Sequence, residues 1–226
     1  MIRAVLFDAA GTLIELREPV GKTYARAAAE QGVSISARRM ADAFRRVFAA
    51  TEALVFPNAT PEQLPALERD WWRRVVRSTF LAADSARRVP DFDACFDGLW
   101  RRYASPEAWQ LRPGAAEVLD ALRARGKQTA VVSNFDGRLP SLLTGLGLAK
   151  RLDAVVLPSD AGVAKPDRRI FEVALERLGV AAAAALFVGD DARCDLQGAR
   201  NAGLEALDGT TLATLADLRV PSTGDP

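Results

Sequence analysis

Two hydrophobic patterns alternate along this chain, and the points where one replaces the other divide it into segments. Over residues 16–105, apolar side chains recur every three or four positions, which is the spacing of helices that bury one face. The clearest stripe consists of Phe92, Cys95, Phe96, Leu99 and Trp100. We predict an all-helical segment here, in which the aromatic faces pack between helices rather than around a cofactor.

Outside this segment, short apolar runs of strand length alternate with helical patterns. An opening run from Ile2 ends at Asp8, and further strands are predicted at 128–132, 154–157, 184–188 and 204–207. Helices are predicted between them at 115–125, 139–146, 168–178 and 195–202. This alternation of strands and helices indicates βαβ units with right-handed crossovers. The predicted fold class is therefore α/β: a doubly wound, Rossmann-like parallel sheet core, interrupted after its first strand by an inserted all-helical block.

Composition and charge exclude several classes of function. With 49% hydrophobic and 26% charged residues, the 226-residue chain has the composition of a soluble globular protein. Its net charge of +1 would not attract nucleic acid or an acidic membrane, so the pairs Arg73-Arg74 and Arg87-Arg88 are interpreted as solvated helix faces. No apolar run is long enough for a signal peptide or a membrane span, so we expect a cytoplasmic enzyme or binding protein.

The lack of histidine and the presence of only two cysteines restrict the catalytic and metal-binding chemistry available to the chain. The sequence has 0 histidines, so acid–base chemistry must use carboxylates or lysine. Any metal should be a hard cation with oxygen ligands, such as magnesium. The cysteines Cys95 and Cys194 lie far apart, without metal-ligand spacing, and are interpreted as separate small side chains. The proline-containing tail beyond Leu218 is expected to be frayed.

Polar side chains stand where the predicted strands end or where the next helix begins. In chain order they are Asp8, Ser133, Asn134, Lys165, Asp190, Asp191 and Asp195. Because open α/β sheets bind ligands at the carboxyl ends of their strands, these side chains are expected to meet at one edge. Each has an ordinary alternative role in a turn, on the surface or at a helix start. Together they offer an acidic nucleophile, oxyanion donors, a balancing cation and a cradle of carboxylates for a metal.

Four motifs follow one another along the chain: Phe7-Asp8-Ala9-Ala10-Gly11-Thr12-Leu13, Ser133-Asn134, Lys165-Pro166-Asp167, and Gly189-Asp190-Asp191 with Asp195. In residues and order they resemble the haloacid dehalogenase-like hydrolase superfamily, specifically its subfamily I with a helical cap. The resemblance spans nearly the whole chain. It implies a hydrolase core made of residues 1–15 and 106–226 and a cap made of residues 16–105. Longer strings are similar to one branch of this superfamily: Phe56-Pro57-Asn58, Trp71-Trp72, Ser133-Asn134-Phe135-Asp136 and Cys194-Asp195-Leu196-Gln197-Gly198.

The resemblance implies phosphoryl transfer that starts at Asp8, whose carboxylate attacks phosphorus to give an aspartyl-phosphate that water then hydrolyses. The implied magnesium ligands are Asp8, the backbone carbonyl of Ala10, Asp190 and Asp195, the last directly or through water, while Asp191 is left open between the metal shell and a helix cap. Ser133 and Asn134 would bind phosphoryl oxygens, and Lys165 would neutralise charge around Asp8. Thr12 would position the loop or a phosphoryl oxygen. The implied partner is a small anionic substrate, phosphorylated, with no nucleic acid and no membrane; the oligomeric state stays open.

One position departs from the family's phosphatases. They carry a second aspartate two residues after the nucleophile, which protonates the leaving group and then activates water, and here this position is Ala10. General acid–base help is worth ~10²–10⁴-fold in rate. Three functions therefore stay open: a weak or specialised magnesium-dependent phosphohydrolase, a non-hydrolytic binding or regulatory protein, and a 2-haloacid dehalogenase-like carbon–halogen hydrolase. A phosphonatase needs a cap lysine and is disfavoured, since the implied cap offers only Lys22.

Overall fold

The computed structural model describes residues 1–86 and 88–220. These residues contain seven strands: β1 (Ala4–Phe7), β2 (Ile14–Leu16), β3 (Trp109–Leu111), β4 (Gln128–Val132), β5 (Ala154–Val156), β6 (Ala185–Gly189) and β7 (Glu205–Asp208). Five of them form one sheet in the order β5-β4-β1-β6-β7, and β2 pairs with β3. Every pairing within the five-stranded sheet is parallel, so the predicted α/β class is confirmed.

Strand β1 lies at the centre of the sheet, and its register decides what meets at the sheet's edge. Phe7 pairs with Val131 of β4 on one side and with Val188 of β6 on the other. All four residues of β1 are buried, as expected for a parallel strand covered on both faces. The segments that follow β1, β4 and β6 therefore leave the sheet at the same edge.

Nine α-helices accompany the strands in the described residues. Four of them fill the segment between β2 and β3, as its periodicity predicts: α1 (Val20–Glu30), α2 (Ala37–Ala50), α3 (Leu64–Ala83) and α4 (Phe92–Ala104). The others alternate with the later strands: α5 (Ala115–Ala124), α6 (Leu139–Gly145), α7 (Pro158–Ala161), α8 (Arg168–Leu178) and α9 (Gly198–Asn201). Helix α8 buries Ile170 and Phe171 in a core shared with Leu6 and Phe187 of the sheet.

The helix cap and the apolar stripe predicted from the sequence have their expected roles in the structure. Ser36 caps α2 by accepting a hydrogen bond from the N–H of Arg39 at 3.3 Å. The apolar stripe of α4 packs against the other helices, with Cys95, Phe96 and Leu99 buried. The aromatic residues of α3 and α4 thus belong to a core between helices, as predicted.

The structure differs from the predicted elements in two respects. Strands β2 and β3 and helix α7 were not predicted, because three or four residues are too short to display a period. In place of the predicted helix at 195–202, a π-helical turn covers Ala192–Gln197 and α9 covers only Gly198–Asn201. The carboxylate of Asp191 accepts hydrogen bonds from the N–H groups of Arg193 and Cys194, which starts this turn earlier than predicted.

Two predictions fall partly on residues outside the described ranges, namely Arg87 and residues 221–226. Arg88 is exposed but not helical, so its interpretation as part of a helix face is wrong. Val220 is buried and its carbonyl accepts a hydrogen bond from Arg125 Nη2 at 3.1 Å, so the chain is still packed two residues beyond Leu218. Both cysteines are free. Among the described residues, no helix combines the length and apolar character that crossing a membrane requires.

The chain divides into two compact units. One consists of Met1–Glu15, Leu54–Asn58 and Gln110–Pro226, and it holds the parallel sheet. The other consists of Leu16–Ala53 and Ala59–Trp109, and it holds α1 to α4. The functional assignment of residues 1–15 and 106–226 as a hydrolase core, and of residues 16–105 as its cap, stays a prediction.

Candidate active site

Asp8 follows β1 directly and stands at the centre of the sheet's edge. Its backbone N–H donates to the carbonyl of Val188 at 2.9 Å, which extends the pairing of β1 with β6 by one residue. The residue is only 6% exposed. Burial raises the pKa of Asp8 to about 6, and although the Lys165 ammonium opposes this shift, neighbouring carboxylates add to it. The folded protein thus holds this carboxylate where it is poorly solvated.

Lys165 reaches Asp8 from the loop between α7 and α8. Its Nζ donates hydrogen bonds to Asp8 Oδ1 and to Asp195 Oδ1, both at 2.6 Å. Burial by itself would lower the pKa of Lys165, but these two carboxylates outweigh it and raise the pKa above its usual value. One ammonium therefore bridges two buried carboxylates from different parts of the chain.

Asp195 uses its second oxygen to hold the loop after β6. Asp195 Oδ2 accepts hydrogen bonds from the backbone N–H groups of Asp190 at 3.0 Å and Asp191 at 3.1 Å. The side chain of Asp191 is engaged in capping the π-helical turn, so its carboxylate faces that turn. Asp190 is exposed, unlike the buried Asp195, and one of its carboxylate oxygens accepts a hydrogen bond from Thr12 Oγ1 at 3.1 Å.

Three carboxylates come close enough to hold a cation. Asp8, Asp190 and Asp195, here called the acidic cluster, each offer an oxygen, and these oxygens lie within 4.8 Å of one another. Carboxylate oxygens are the ligands preferred by hard divalent cations. The donor set of the acidic cluster therefore fits such a cation, whose charge would offset the repulsion between the three carboxylates.

Two glycines allow these carboxylates to approach the backbone. Gly11 has a φ of +104°, and a Cβ at this position would lie 2.4 Å from Asp190 Oδ2. At Gly189, a Cβ would lie 2.4 Å from Asp195 Oδ2. The motif glycines are thus required by close approach, and in Gly11 also by the left-handed backbone. The sequence contains both glycines, but only the structure identifies what they touch.

We expect Gly11→Ala to destabilise the fold and to remove its response to magnesium. The left-handed backbone costs a non-glycine residue about 1–3 kcal/mol, and the added methyl group must also displace the Asp190 carboxylate. Thermal unfolding with increasing MgCl2 measures both effects. Gly126→Ala is the matched control, since Gly126 has a φ of +67° and open space at its Cβ. A Gly11→Ala protein stabilised by magnesium as strongly as Gly126→Ala would contradict this account of the acidic cluster.

The remaining predicted residues lie at the same edge with different contacts. Ser133 is buried directly after β4, and its N–H donates to the carbonyl of Val156 at 3.1 Å. Asn134 is joined to Lys165: its Nδ2 donates to the Lys165 carbonyl at 3.0 Å, and its Oδ1 accepts from the Lys165 N–H at 2.7 Å. Ala10 is itself exposed in the largely buried loop after Asp8, where it forms an isolated β-bridge with Ile14.

One further residue contacts this site without having been predicted from the sequence. Arg112 donates from Nη1 to the carbonyl of Gly11 at 3.0 Å, and its backbone N–H donates to the carbonyl of Leu13 at 3.0 Å. Both bonds hold the loop that carries Ala10. No motif contains Arg112, so no signal in the sequence distinguishes it from the other arginines.

The fold and the acidic cluster agree with the result of comparing the sequence with known families. Residues 2–203 match the sequence profile of haloacid dehalogenase-like hydrolases. The chain belongs to this family.

Among its relatives is haloacid dehalogenase-like hydrolase domain-containing protein 3 of Mus musculus, which is 40% identical over 208 residues, or 91% of this chain and 80% of that protein. Phosphoserine phosphatase of Thermus thermophilus is 35% identical over 165 residues, which cover 70% of this chain and 63% of that one. L-2-haloacid dehalogenase from Xanthobacter autotrophicus shares the fold, with a TM-score of 0.68 at 24% identity over 96% of this chain and 80% of that one.

Proposed function

We propose that this protein is a magnesium-dependent phosphohydrolase that acts on a small phosphorylated substrate through Asp8. The observation that carries the proposal is the position of Asp8, buried beside the Lys165 ammonium at 2.6 Å and within the acidic cluster. A relative named as a phosphatase, the Thermus thermophilus protein, supports phosphoryl transfer as the class of reaction.

The charges of the site support a role for a divalent cation. Three carboxylates face one ammonium, so an anionic phosphoryl group would be repelled by the excess negative charge. In this proposal magnesium is held by Asp8, the carbonyl of Ala10, Asp190 and Asp195, the last directly or through water. When bound, it would neutralise charge between the attacking carboxylate and the substrate.

The proposed reaction begins when the Asp8 carboxylate attacks phosphorus and the leaving group departs. Water then hydrolyses the aspartyl-phosphate, releasing inorganic phosphate and restoring Asp8. Lys165 neutralises charge next to Asp8, and Ser133 and Asn134 bind phosphoryl oxygens. Thr12 holds Asp190 in place through its hydroxyl. Because Ala10 supplies no proton, the substrates that react best are those with good leaving groups.

Ala10 also supports a second candidate, a protein that binds metal and phosphorylated ligands with little turnover. A methyl group at this exposed position neither donates nor removes a proton. A carbon–halogen hydrolase is less well supported, because the acidic cluster would repel the carboxylate of a 2-haloacid unless a cation were bound.

Hydrolysis of p-nitrophenyl phosphate with and without magnesium tests the proposal. We expect magnesium-dependent phosphate release that Asp190→Asn reduces by about tenfold or more, since a cation ligand is lost. Asp191→Asn is the matched control: it removes the same charge from the next residue, whose carboxylate caps a turn, and should keep its magnesium dependence. Magnesium-induced thermal stabilisation should follow the same pattern.

Three results would redirect the assignment. Magnesium binding without turnover would favour the binding protein. Halide release from 2-chloropropionate in the absence of metal would favour the carbon–halogen hydrolase. Equal responses of Asp190→Asn and wild type to magnesium would remove Asp190 from the metal site.

A further inference from the structure

The side-chain amide of Asn134 holds both polar groups of the Lys165 backbone. Its Oδ1 accepts the Lys165 N–H at 2.7 Å, and its Nδ2 donates to the Lys165 carbonyl at 3.0 Å. A backbone N–H can only donate and a carbonyl can only accept, so this pairing also fixes which amide atom faces which group. One hydrogen of Nδ2 remains for another acceptor.

This contact fixes the backbone from which the Lys165 side chain starts. Lysine carries its ammonium on a flexible four-carbon stem, so the ammonium reaches a defined point only if the backbone and the path of the stem are both held. The stem of Lys165 is buried, and its Nζ lies 5.4 Å from the ring centroid of Phe187. The backbone of Lys165 lies in a loop, where the bonds to Asn134 supply the attachment to the sheet.

The strand that precedes Asn134 pairs with the strand that precedes Asp8, the proposed nucleophile. Asn134 lies two residues beyond the end of β4, and β4 pairs with β1 through Val131 and Phe7. Asp8 is the next residue after Phe7. The distance between the Asp8 carboxylate and the Lys165 backbone is therefore set by two adjacent strand ends and one amide.

We infer that Asn134 is a positioning residue, which holds the Lys165 backbone against the end of β4 so that one ammonium reaches Asp8 and Asp195 together. The catalytic consequence of this inference rests on the proposed function. The role goes beyond the predicted binding of a phosphoryl oxygen, and the two roles have different kinetic consequences. Loss of a substrate ligand weakens binding whether or not Lys165 is present, whereas loss of a positioning residue matters only while the ammonium is there.

A double-mutant cycle on p-nitrophenyl phosphate hydrolysis separates the two roles. We expect Asn134→Leu to lower kcat by about 10- to 100-fold with a smaller change in KM, because a displacement of about 1 Å in a catalytic group can cost that much. In the Lys165→Met background, the same substitution should change kcat less than about twofold. A contact of Asn134 with a phosphoryl oxygen would change KM in both backgrounds, but equal changes in kcat in both backgrounds would overturn the inference and leave Asn134 with the substrate contact alone.

A second measurement does not depend on turnover. Acetic anhydride labels accessible lysines, and peptide mass spectrometry compares the labelling rate of buried Lys165 with that of exposed Lys150 in one sample. We expect Asn134→Leu to raise the ratio of Lys165 to Lys150 labelling several-fold. Gln128→Leu is the control, since its amide at the other end of β4 likewise donates to a backbone carbonyl, that of Leu178 at 3.0 Å. It should leave the ratio unchanged.

The two measurements keep the inference and the proposed function distinct. If the wild-type protein shows no turnover but Asn134→Leu still raises the labelling of Lys165, the proposed phosphohydrolase activity is overturned and the positioning role of Asn134 is kept. An unchanged labelling ratio in Asn134→Leu would overturn the positioning role, whatever the activity.

Discussion

Asp8→Asn is expected to abolish phosphate release while leaving the fold intact. The amide has the size of the carboxylate but cannot attack phosphorus, so kcat on p-nitrophenyl phosphate should fall by roughly 10³-fold or more. Stability should be unaffected or improved in the absence of metal. Burial raises the pKa of Asp8 to about 6, which means that the fold accommodates its charged form less well than water does. The amide oxygen can still accept a hydrogen bond from Lys165.

Steady-state kinetics and thermal unfolding of the same preparations check both halves of this prediction. Asp191→Asn serves again as the charge-matched control and should keep most of the wild-type rate. If Asp8→Asn kept more than about a tenth of the wild-type kcat, the attacking group would be a water molecule or another side chain, and covalent catalysis at Asp8 would be ruled out. A variant that is both inactive and unfolded would show instead that Asp8 is needed for the structure.

The fold was predictable where its elements are long enough to display a period. The predicted strand at 128–132 and the predicted helix at 168–178 have the bounds that the structure gives to β4 and α8. For α8, the start and stop signals are also used: Asp167 caps the first turn, and Gly179 ends the helix with a φ of +64°.

The π-helical turn before α9 could not be predicted, because its cause lies in tertiary contacts. The Asp191 carboxylate accepts hydrogen bonds from two backbone N–H groups at the start of this turn. At Gly198, a Cβ would lie 3.0 Å from both Phe171 and the backbone of Pro166, so this segment packs closely against another helix and the loop before it. Helical periodicity in the sequence carries no information about either contact.

For the candidate site, the sequence indicates which residues meet, whereas the structure shows which of their atoms form hydrogen bonds with one another. Parallel strands bring their carboxyl ends to one edge, so a pattern that places polar residues after several strands also indicates that they meet. It does not indicate that Asp195 gives one oxygen to Lys165 and the other to two backbone N–H groups. Nor does it indicate that Asn134 binds the backbone of Lys165, because that contact depends on how two separate loops are folded.

Ala10→Asp is expected to raise the rate of phosphate release by ~10²–10⁴-fold, which is the usual contribution of general acid–base catalysis. The substitution restores a proton donor at the position where the family's phosphatases carry one. Ala10 is exposed, so an aspartate can be placed there without creating a clash in the core. A gain of this size corresponds to ~3–5 kcal/mol of barrier.

The gain should depend on the leaving group, and this dependence tests the mechanism. A nitrophenolate leaves readily without a proton, whereas the alkoxide of glycerol 2-phosphate needs one, so Ala10→Asp should accelerate glycerol 2-phosphate hydrolysis more strongly. Ala10→Asn is the control, since it has the same size and polarity but transfers no proton. Equal rates for the aspartate and asparagine variants would show that proton transfer at position 10 does not limit this protein. The limiting step would then lie with the nucleophile, the metal site or substrate binding.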